Sequence, residues 1–340
     1  MHGSLANMRN DKIKIGIIGI GMVGEPIRRW FEEVKGYKRG QELFLYDIDL
    51  KKGYNDDFNK ADLIFIALPT PSKKDGQCDT ALVEKAVTKI ADNHIVVIKS
   101  TVPPGTAVRL AKRFPKKEII FNPEFLTESQ VWSDFLRPDR QLVGAVGENR
   151  TSVRELLMIL PMASFTRPWG SDYSKKEINA TEAELSKYAS NVFGYIKVIY
   201  GNILADVAHA ISLIHKADIS YERVRDVIAA DPRIGPAWLN VDHGDYCGAG
   251  GYCFPKDMNA FIAFIKNDLI KRLRKNKSRI AIVEALEKGV AVLESIRDYN
   301  RAILKLQGLS ESDISLHNAE LVNIKRKSFR EKWTRAGSNR

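Results

Sequence analysis

Residues 12–33 read KIKIGIIGIGMVGEPIRRWFEE, a β-branched apolar run that passes through glycines at 19, 21 and 24 into a helical pattern. A strand joined to a helix by Gly-x-Gly-x-x-Gly brings backbone amides close to a phosphate group. Gly19 makes the turn, and Gly21, with Met22 and Val23 beside it, lets the main chain approach a pyrophosphate at the helix N-terminus. Gly24 lets the helix pack on its strand. A second apolar run, ELFLYDID, ends in Asp47, where a carboxylate can accept hydrogen bonds from the adenosine ribose hydroxyls. An acid at that point favours NAD over NADP, because it repels a 2′-phosphate.

Further strands are expected at ADLIFIALPTP, HIVVIKSTVPPG, EIIFNPEFL and RQLVGAV, with helical stretches such as TALVEKAVTKIADN between them. Alternation of this kind predicts a mostly parallel sheet covered on both faces. Thr70, Thr101 and Glu124 each fall just past a strand end, where such sheets bind ligands. The expected fold is α/β: an N-terminal Rossmann-like, doubly wound parallel sheet, followed by an all-helical central domain. The domains are expected at 11–170 and 171–309, with a polar basic tail at 310–340.

Around PWGSDYSKK the pattern turns helical. Thr181-Glu-Ala-Glu184 reads as a capping box opening a long apolar helix, TEAELSKYASNVFGYIKVIYGNILADVAHAI. Lys187 and Asn191 lie four residues apart, on one helix face, where they could hold a substrate oxygen. The helix has more aliphatic surface than one small domain covers, which predicts a homodimer through it.

Composition narrows the class. With 44% hydrophobic and 28% charged residues the chain is an ordinary globular protein. No apolar run reads as a membrane span, and MHGSLANMRNDK lacks the apolar core of a secretory signal, so the cytoplasm is expected. Cys78, Cys247 and Cys253 form no metal-ligand spacing, so no metal is expected. The net charge of +11 suits a nucleotide or diphosphate partner. The basic runs at 271–279 and 325–335 lack the aromatic or glycine pattern of a nucleic-acid module and read as a solvated face and a tail.

Cys253 stands in GAGGYCFPKD, after glycines at 248, 250 and 251 that let the loop pass close to a flat ligand, and three residues before Lys256. A nearby cation favours a reactive thiolate, yet from these residues alone a structural cysteine fits equally well.

Eight short motifs, in order, carry a resemblance over residues 12–305: the Gly19–Gly24 loop with Asp47, PTP at 69–71, STVPPGT at 100–106, NPEFLTES at 122–129, RPDRQLVG at 137–144, AELSKYASN at 183–191, DPRIG at 231–235 and GGYCFPKD at 250–257. The chain resembles the UDP-glucose/GDP-mannose dehydrogenase family, NAD-dependent enzymes that oxidise a sugar-nucleotide alcohol twice to a uronic acid. By that resemblance Cys253 is the catalytic thiol, and Lys187, Asn191 and Asp257 orient the substrate and the reacting oxygen. Glu124 is the acid/base of thioester hydrolysis, with Thr101 positioning water. Thr70, Thr101, Glu128 and Lys256 fall to the cofactor, with Glu128 shared between substrate and nicotinamide. Phe125, Leu126, Gly250 and Gly251 fall to the substrate, and Arg233 reaches a neighbouring subunit's sugar nucleotide. The resemblance also implies that a third, nucleotide-gripping α/β domain is lacking here, and that NVDHGDYC at 240–247 holds extra residues. Two other readings stay open. One is a two-domain β-hydroxyacid or 6-phosphogluconate type of dehydrogenase, which performs one oxidation and needs no thiol. The other is a catalytically silent NAD-binding relative.

Overall fold

A computed structural model describes residues 12–147, 150–163, 178–241 and 246–315. Most of MHGSLANMRNDK, all of PWGSDYSKK, residues 242–245 of NVDHGDYC and the basic run at 325–335 lie outside the described residues. The chain divides into two compact units, one of Met1–Pro71 and Cys78–Lys187, the other of Ser72–Gln77 and Tyr188–Arg340.

All six apolar runs form strands of one sheet in the first unit: β1 (Ile15–Ile18), β2 (Leu43–Tyr46), β3 (Leu63–Ile66), β4 (Ile95–Ile98), β5 (Glu118–Phe121) and β6 (Gly144–Ala145). Their order is β2-β1-β3-β4-β5-β6, parallel except for β6. The helices of this unit are α1 (Gly24–Arg29), α2 (Ala81–Lys89), α3 (Thr106–Arg113), α4 (Val131–Leu136), α5 (Arg150–Ile159) and the start of α6 (Ala180–His215). Side chains alternate across the strands. Ile64, Ile66, Val96 and Ile98 meet Val83 and Val87 of α2, Leu110 of α3 and Ala183 of α6. Their neighbours Leu63, Phe65, Ile95 and Val97 join Ile27 of α1, Phe135 of α4 and Leu156 of α5. Burial on both faces explains why these strands are unbroken apolar runs rather than alternating ones, each Val, Leu or Ile contributing about 2 kcal/mol. The sheet is therefore doubly wound, with its switch point at β1, between β2 and β3. A crevice opens there at the carboxyl ends of the strands.

The regular structure of the second unit is helical: most of α6, then α7 (Tyr221–Ala229), α8 (Cys253–Phe264), α9 (Lys271–Leu273), α10 (Ile280–Leu306) and α11 (Glu311–Ser315). Val192, Tyr195, Val198 and Ile199 of α6 pack against Met258 and Ile262 of α8 and Val283 and Val290 of α10. Beyond residue 309 the chain is still packed, with Ile314 buried against Leu304 and Leu309.

Two expectations about α6 change. The capping box is Asn179 with Glu182, not Thr181 with Glu184: Glu182 N–H donates to Asn179 Oδ1 (2.9 Å) and Asn179 N–H to a Glu182 carboxylate oxygen (2.8 Å). Glu184 is fully buried and accepts instead from Gly105 N–H (2.5 Å) and Ala107 N–H (2.7 Å), so its carboxylate caps α3 from a distant part of the chain. Burial pushes that carboxyl up to about 7, against the pull of those amides. Secondly, α6 is, among the described residues, the one helix long and apolar enough to cross a membrane by length and composition, contrary to the sequence expectation. One of its faces forms the core of the second unit.

Gly24 sits so close to the preceding turn that a Cβ there would run into the Gly19 carbonyl oxygen, whereas a Cβ on Gly21 meets nothing within 4 Å. Gly24→Ala is expected to lose about 3 kcal/mol in urea unfolding and Gly21→Ala almost nothing. Equal midpoints for the two variants would contradict this packing.

Candidate functional site

At the switch point Gly19 turns the chain with φ +91°, a conformation that suits glycine, and its amide donates to Tyr46 O (2.8 Å). Asp47, at the end of β2, is buried and fully engaged. Oδ2 accepts from Ile20 N–H (2.7 Å) and Lys52 Nζ (2.9 Å), and Oδ1 from Asp49 N–H (2.9 Å). Burial pushes its carboxyl up, but Lys52 and the two amides outweigh that and hold it below its ordinary value. Lys52 also donates to Ile20 O (2.8 Å), tying β2's end to the glycine loop. Beside them lies an open groove of about 510 Å³ lined by Gly21, Met22, Lys52, Tyr54 and Val131, among others. An open approach at Gly21 and a carboxylate past β2 fit the glycine-loop end of NAD, so these residues suit that cofactor. Sequence reasoning missed Lys52, whose signal is a cation five residues after the acid that ends β2. Lys52 offsets the charge of Asp47, so the carboxylate stands at the end of β2 as a positioned acceptor more than as a bare negative charge.

Three strand ends converge in the same unit. Thr70, past β3, donates its hydroxyl to Thr101 O (2.8 Å), past β4, and the buried Cys78 thiol donates to the same carbonyl (3.6 Å). Past β5, Glu124 is buried and paired with Lys187 Nζ of α6 at 2.9 Å, while its other oxygen accepts from Leu126 N–H (2.7 Å). Burial pushes the Glu124 carboxyl up, yet Lys187, the Leu126 amide and Lys99 together hold it below its ordinary value. It is an ionised base shielded from solvent. Phe125 stacks under the Arg140 guanidinium at 3.8 Å, with Lys187 5.4 Å from the same ring. Glu128 is exposed in a helical turn.

Lys99 was not anticipated. It follows β4, is 4% exposed, and donates to Asn122 Oδ1 (2.9 Å) and Pro123 O (3.4 Å). Burial pushes its ammonium down to about 8, with Glu124 opposing and Lys187 reinforcing the shift. Two buried lysines thus act on one carboxylate, Lys187 as its ion-pair partner and Lys99 through charge alone, an arrangement that favours added negative charge such as an oxyanion.

The second unit carries the thiol. Cys253 is the first residue of α8, at the helix end that favours negative charge, and Asp257 lies one turn further on the same face. Asp257 is fully buried, accepts from Asn191 Nδ2 of α6 (2.6 Å) and forms an ion pair with Lys256. Phe254 packs on α6 where residue 194 is glycine; a Cβ there would sit 2.6 Å from the ring. The loop before Cys253 is clamped by two carboxamides, one within α10 and one just past its end. Asn300 exchanges hydrogen bonds with Ala249 N–H (2.8 Å) and O (2.9 Å), and Gln307 with Cys247 N–H (2.8 Å) and O (2.9 Å). Gly250 and Gly251 follow directly, Gly251 N–H donating to the Tyr246 hydroxyl (3.2 Å). Arg233 is exposed and folded onto Asp231 (2.6 Å), and Lys197 pins its loop through the carbonyls of Ile234 (2.6 Å) and Gly235 (3.0 Å). The structure thus groups Glu124 with Lys187, Thr70 with Thr101, and Asn191 with Asp257 and Lys256.

Residues 46–159 match the UDP-glucose/GDP-mannose dehydrogenase family, NAD binding domain, and residues 181–280 match that family's central domain. The first match agrees with NAD as the cofactor. A UDP-glucose 6-dehydrogenase of Rickettsia bellii is 33% identical over 74% of this chain and 57% of its own length. One of Haloferax volcanii is 35% identical over 74% of this chain and 65% of its own. Several further relatives are covered over about half their length, 46–48%. Among solved structures, a UDP-glucose dehydrogenase from Pyrobaculum islandicum superposes with a TM-score of 0.64 at 25% identity, covering 90% of this chain and 71% of that one.

The buried lysine gives a pH test. A lysine whose folded value lies below its unfolded one destabilises the fold while protonated in both states, so its penalty is lifted as pH rises from about 8 towards 10.5. Over that window the wild type is expected to gain about 3 kcal/mol relative to Lys99→Met in urea unfolding. Parallel curves for the two proteins would contradict a perturbed lysine.

Proposed function

Because the chain belongs to the UDP-glucose/GDP-mannose dehydrogenase family, we propose that it oxidises the primary alcohol of a UDP-glucose-like nucleotide sugar to the uronic acid, in the cytoplasm. The observation that carries the reading is Asp257: fully buried, held by Asn191 and Lys256, and one helical turn from Cys253. In this reading the Gly19–Gly24 loop, Asp47, Thr70, Glu128 and Lys256 hold NAD, which supplies the hydride acceptor for both oxidations. Phe125, Leu126, Gly250 and Gly251 line the sugar. Lys187 and Asn191 hold its reacting oxygen. The Cys253 thiolate adds to the aldehyde carbon, forming the C–S bond of a thiohemiacetal, and oxidation of that carbon leaves a thioester. Water positioned by Thr101 then gives a proton to Glu124 as it attacks, the C–S bond breaks, and the thiolate is restored. Glu124 suits this role because its burial excludes bulk water while Lys187 keeps it ionised.

A second copy of the chain is proposed to cover the outer face of α6, where Phe193, Tyr200, Val207, Leu213 and Ile214 are exposed. Arg233, on its exposed loop, would then serve the neighbouring subunit's substrate.

Purified protein is expected to yield two NADH and one carboxylate per sugar on a panel of UDP- and GDP-sugars, and Cys253→Ala no acid at all. One NADH per substrate, or full turnover by Cys253→Ala, would overturn the thiol mechanism in favour of a single-oxidation dehydrogenase. Light scattering should give a dimer that Val207→Asp converts to monomer; a monomeric wild type would leave Arg233 without a role across subunits.

A further inference from the structure

Oxidising a primary alcohol to a carboxylate with two NAD and one water releases two NADH and three protons, so protons must leave the base that collects them. In the reading above, on which this inference rests, that base is the buried Glu124. Against it lies a small cavity of mixed polar and apolar lining, about 20 Å³ in volume, room for one water. Its polar lining includes the buried Lys99 and Glu124, the half-buried Asp134, Arg140 and Gln141, and Asp139, whose side chain is 80% exposed.

We infer that this cavity is a proton exit, in which a single water relays the proton from Glu124 to the Asp134 carboxylate and on to solvent. The charges are ordered for that direction. Lys99 sits at the inner end, and with Lys187 it lowers the proton affinity of Glu124. Asp134 and Asp139 sit towards the outside, Asp139 paired with Arg140 (3.3 Å) and Asp134 accepting from Thr127 N–H (2.7 Å). An excess proton is repelled from the cationic end and drawn to the carboxylates. The relay balances: Glu124 loses the proton it took, the water gains one and gives one up, Asp134 passes it to solvent, and Glu124 is again ionised. Lys99 is a positioning residue here. Its Nζ is aimed by Asn122, whose own Nδ2 donates to Leu142 O (2.7 Å), so the cation is fixed to the sheet.

The test uses the full chain with NAD and the sugar nucleotide selected by the panel. Asp134→Asn keeps the acceptor for Thr127 N–H and should fold like the wild type by thermal unfolding. It is expected to lower kcat about tenfold with KM unchanged. An indicator dye should show proton release lagging behind NADH, and small buffers such as imidazole should restore the rate, whereas the wild type ignores buffer concentration. A loss caused by structural damage would not respond to buffer. A high-resolution crystal structure should show an ordered water bonded to Glu124 in the cavity. Wild-type kcat in Asp134→Asn, a loss that buffer does not repair, or a cavity without that water each overturns the exit alone. No NADH from the wild type on any nucleotide sugar overturns the dehydrogenase reading itself, and the exit then has no protons to carry.

Discussion

The ion pair between Lys187 and Glu124 constrains the first unit more than any other contact around its strand ends. Both partners are buried, and a buried charge without its partner costs about 3–5 kcal/mol. The pair therefore fixes where α6 begins relative to the carboxyl end of β5. Glu184, three residues before Lys187 on the same helix, repeats the device by holding the amides of Gly105 and Ala107 at the start of α3. Two carboxylates, one on α6 and one just past β5, thus lock the helix to the loops that carry Thr101 and Glu124. In the proposed reading, Glu124 and Lys187 serve the chemistry as well as the fold.

The second unit meets the same problem chiefly with carboxamides. Asp257 is buried with one amide donor and one cation, and the glycine loop before Cys253 is held by Asn300 and Gln307, whose carboxamides pair with backbone N–H and C=O groups as a neighbouring strand would. A flexible glycine sequence is thereby given one conformation. Phe254, packed against α6 at Gly194, anchors the first turn of α8. The thiol is presented from a rigid element, although the sequence around it is among the least restrained in the chain.

Much of this was legible beforehand for physical reasons. Strands buried on both faces must be continuous apolar runs, so all six were visible, even β6 with two paired residues. The α/β class followed from their alternation with helices. The cap of α6 was misread because Asn179–Glu182 and Thr181–Glu184 both satisfy the spacing, and only tertiary structure shows that Glu184 is drawn away to α3. Lys52 and Lys99 escaped notice because a lysine is by default a surface residue. What marks Lys99 is its place immediately after β4, where parallel strands end in a crevice. The π-helical turns at Trp30–Val34 and Ile265–Ile270 leave no pattern that separates them from ordinary helix. Grouping Glu124 with Lys187 and Asn191 with Asp257 required the fold, since the partners lie 63 and 66 residues apart.

The central claim is that Cys253 becomes covalently acylated during turnover, and intact-mass spectrometry tests it most directly. In Glu124→Gln the base that takes the proton from the attacking water is gone, so the thioester should accumulate. Incubated with NAD and the sugar nucleotide, that variant should gain the mass of one nucleotide-uronyl group, mapped by peptide analysis to Cys253 and absent from Glu124→Gln/Cys253→Ala. An unmodified Cys253 in a variant that has produced NADH would contradict the account.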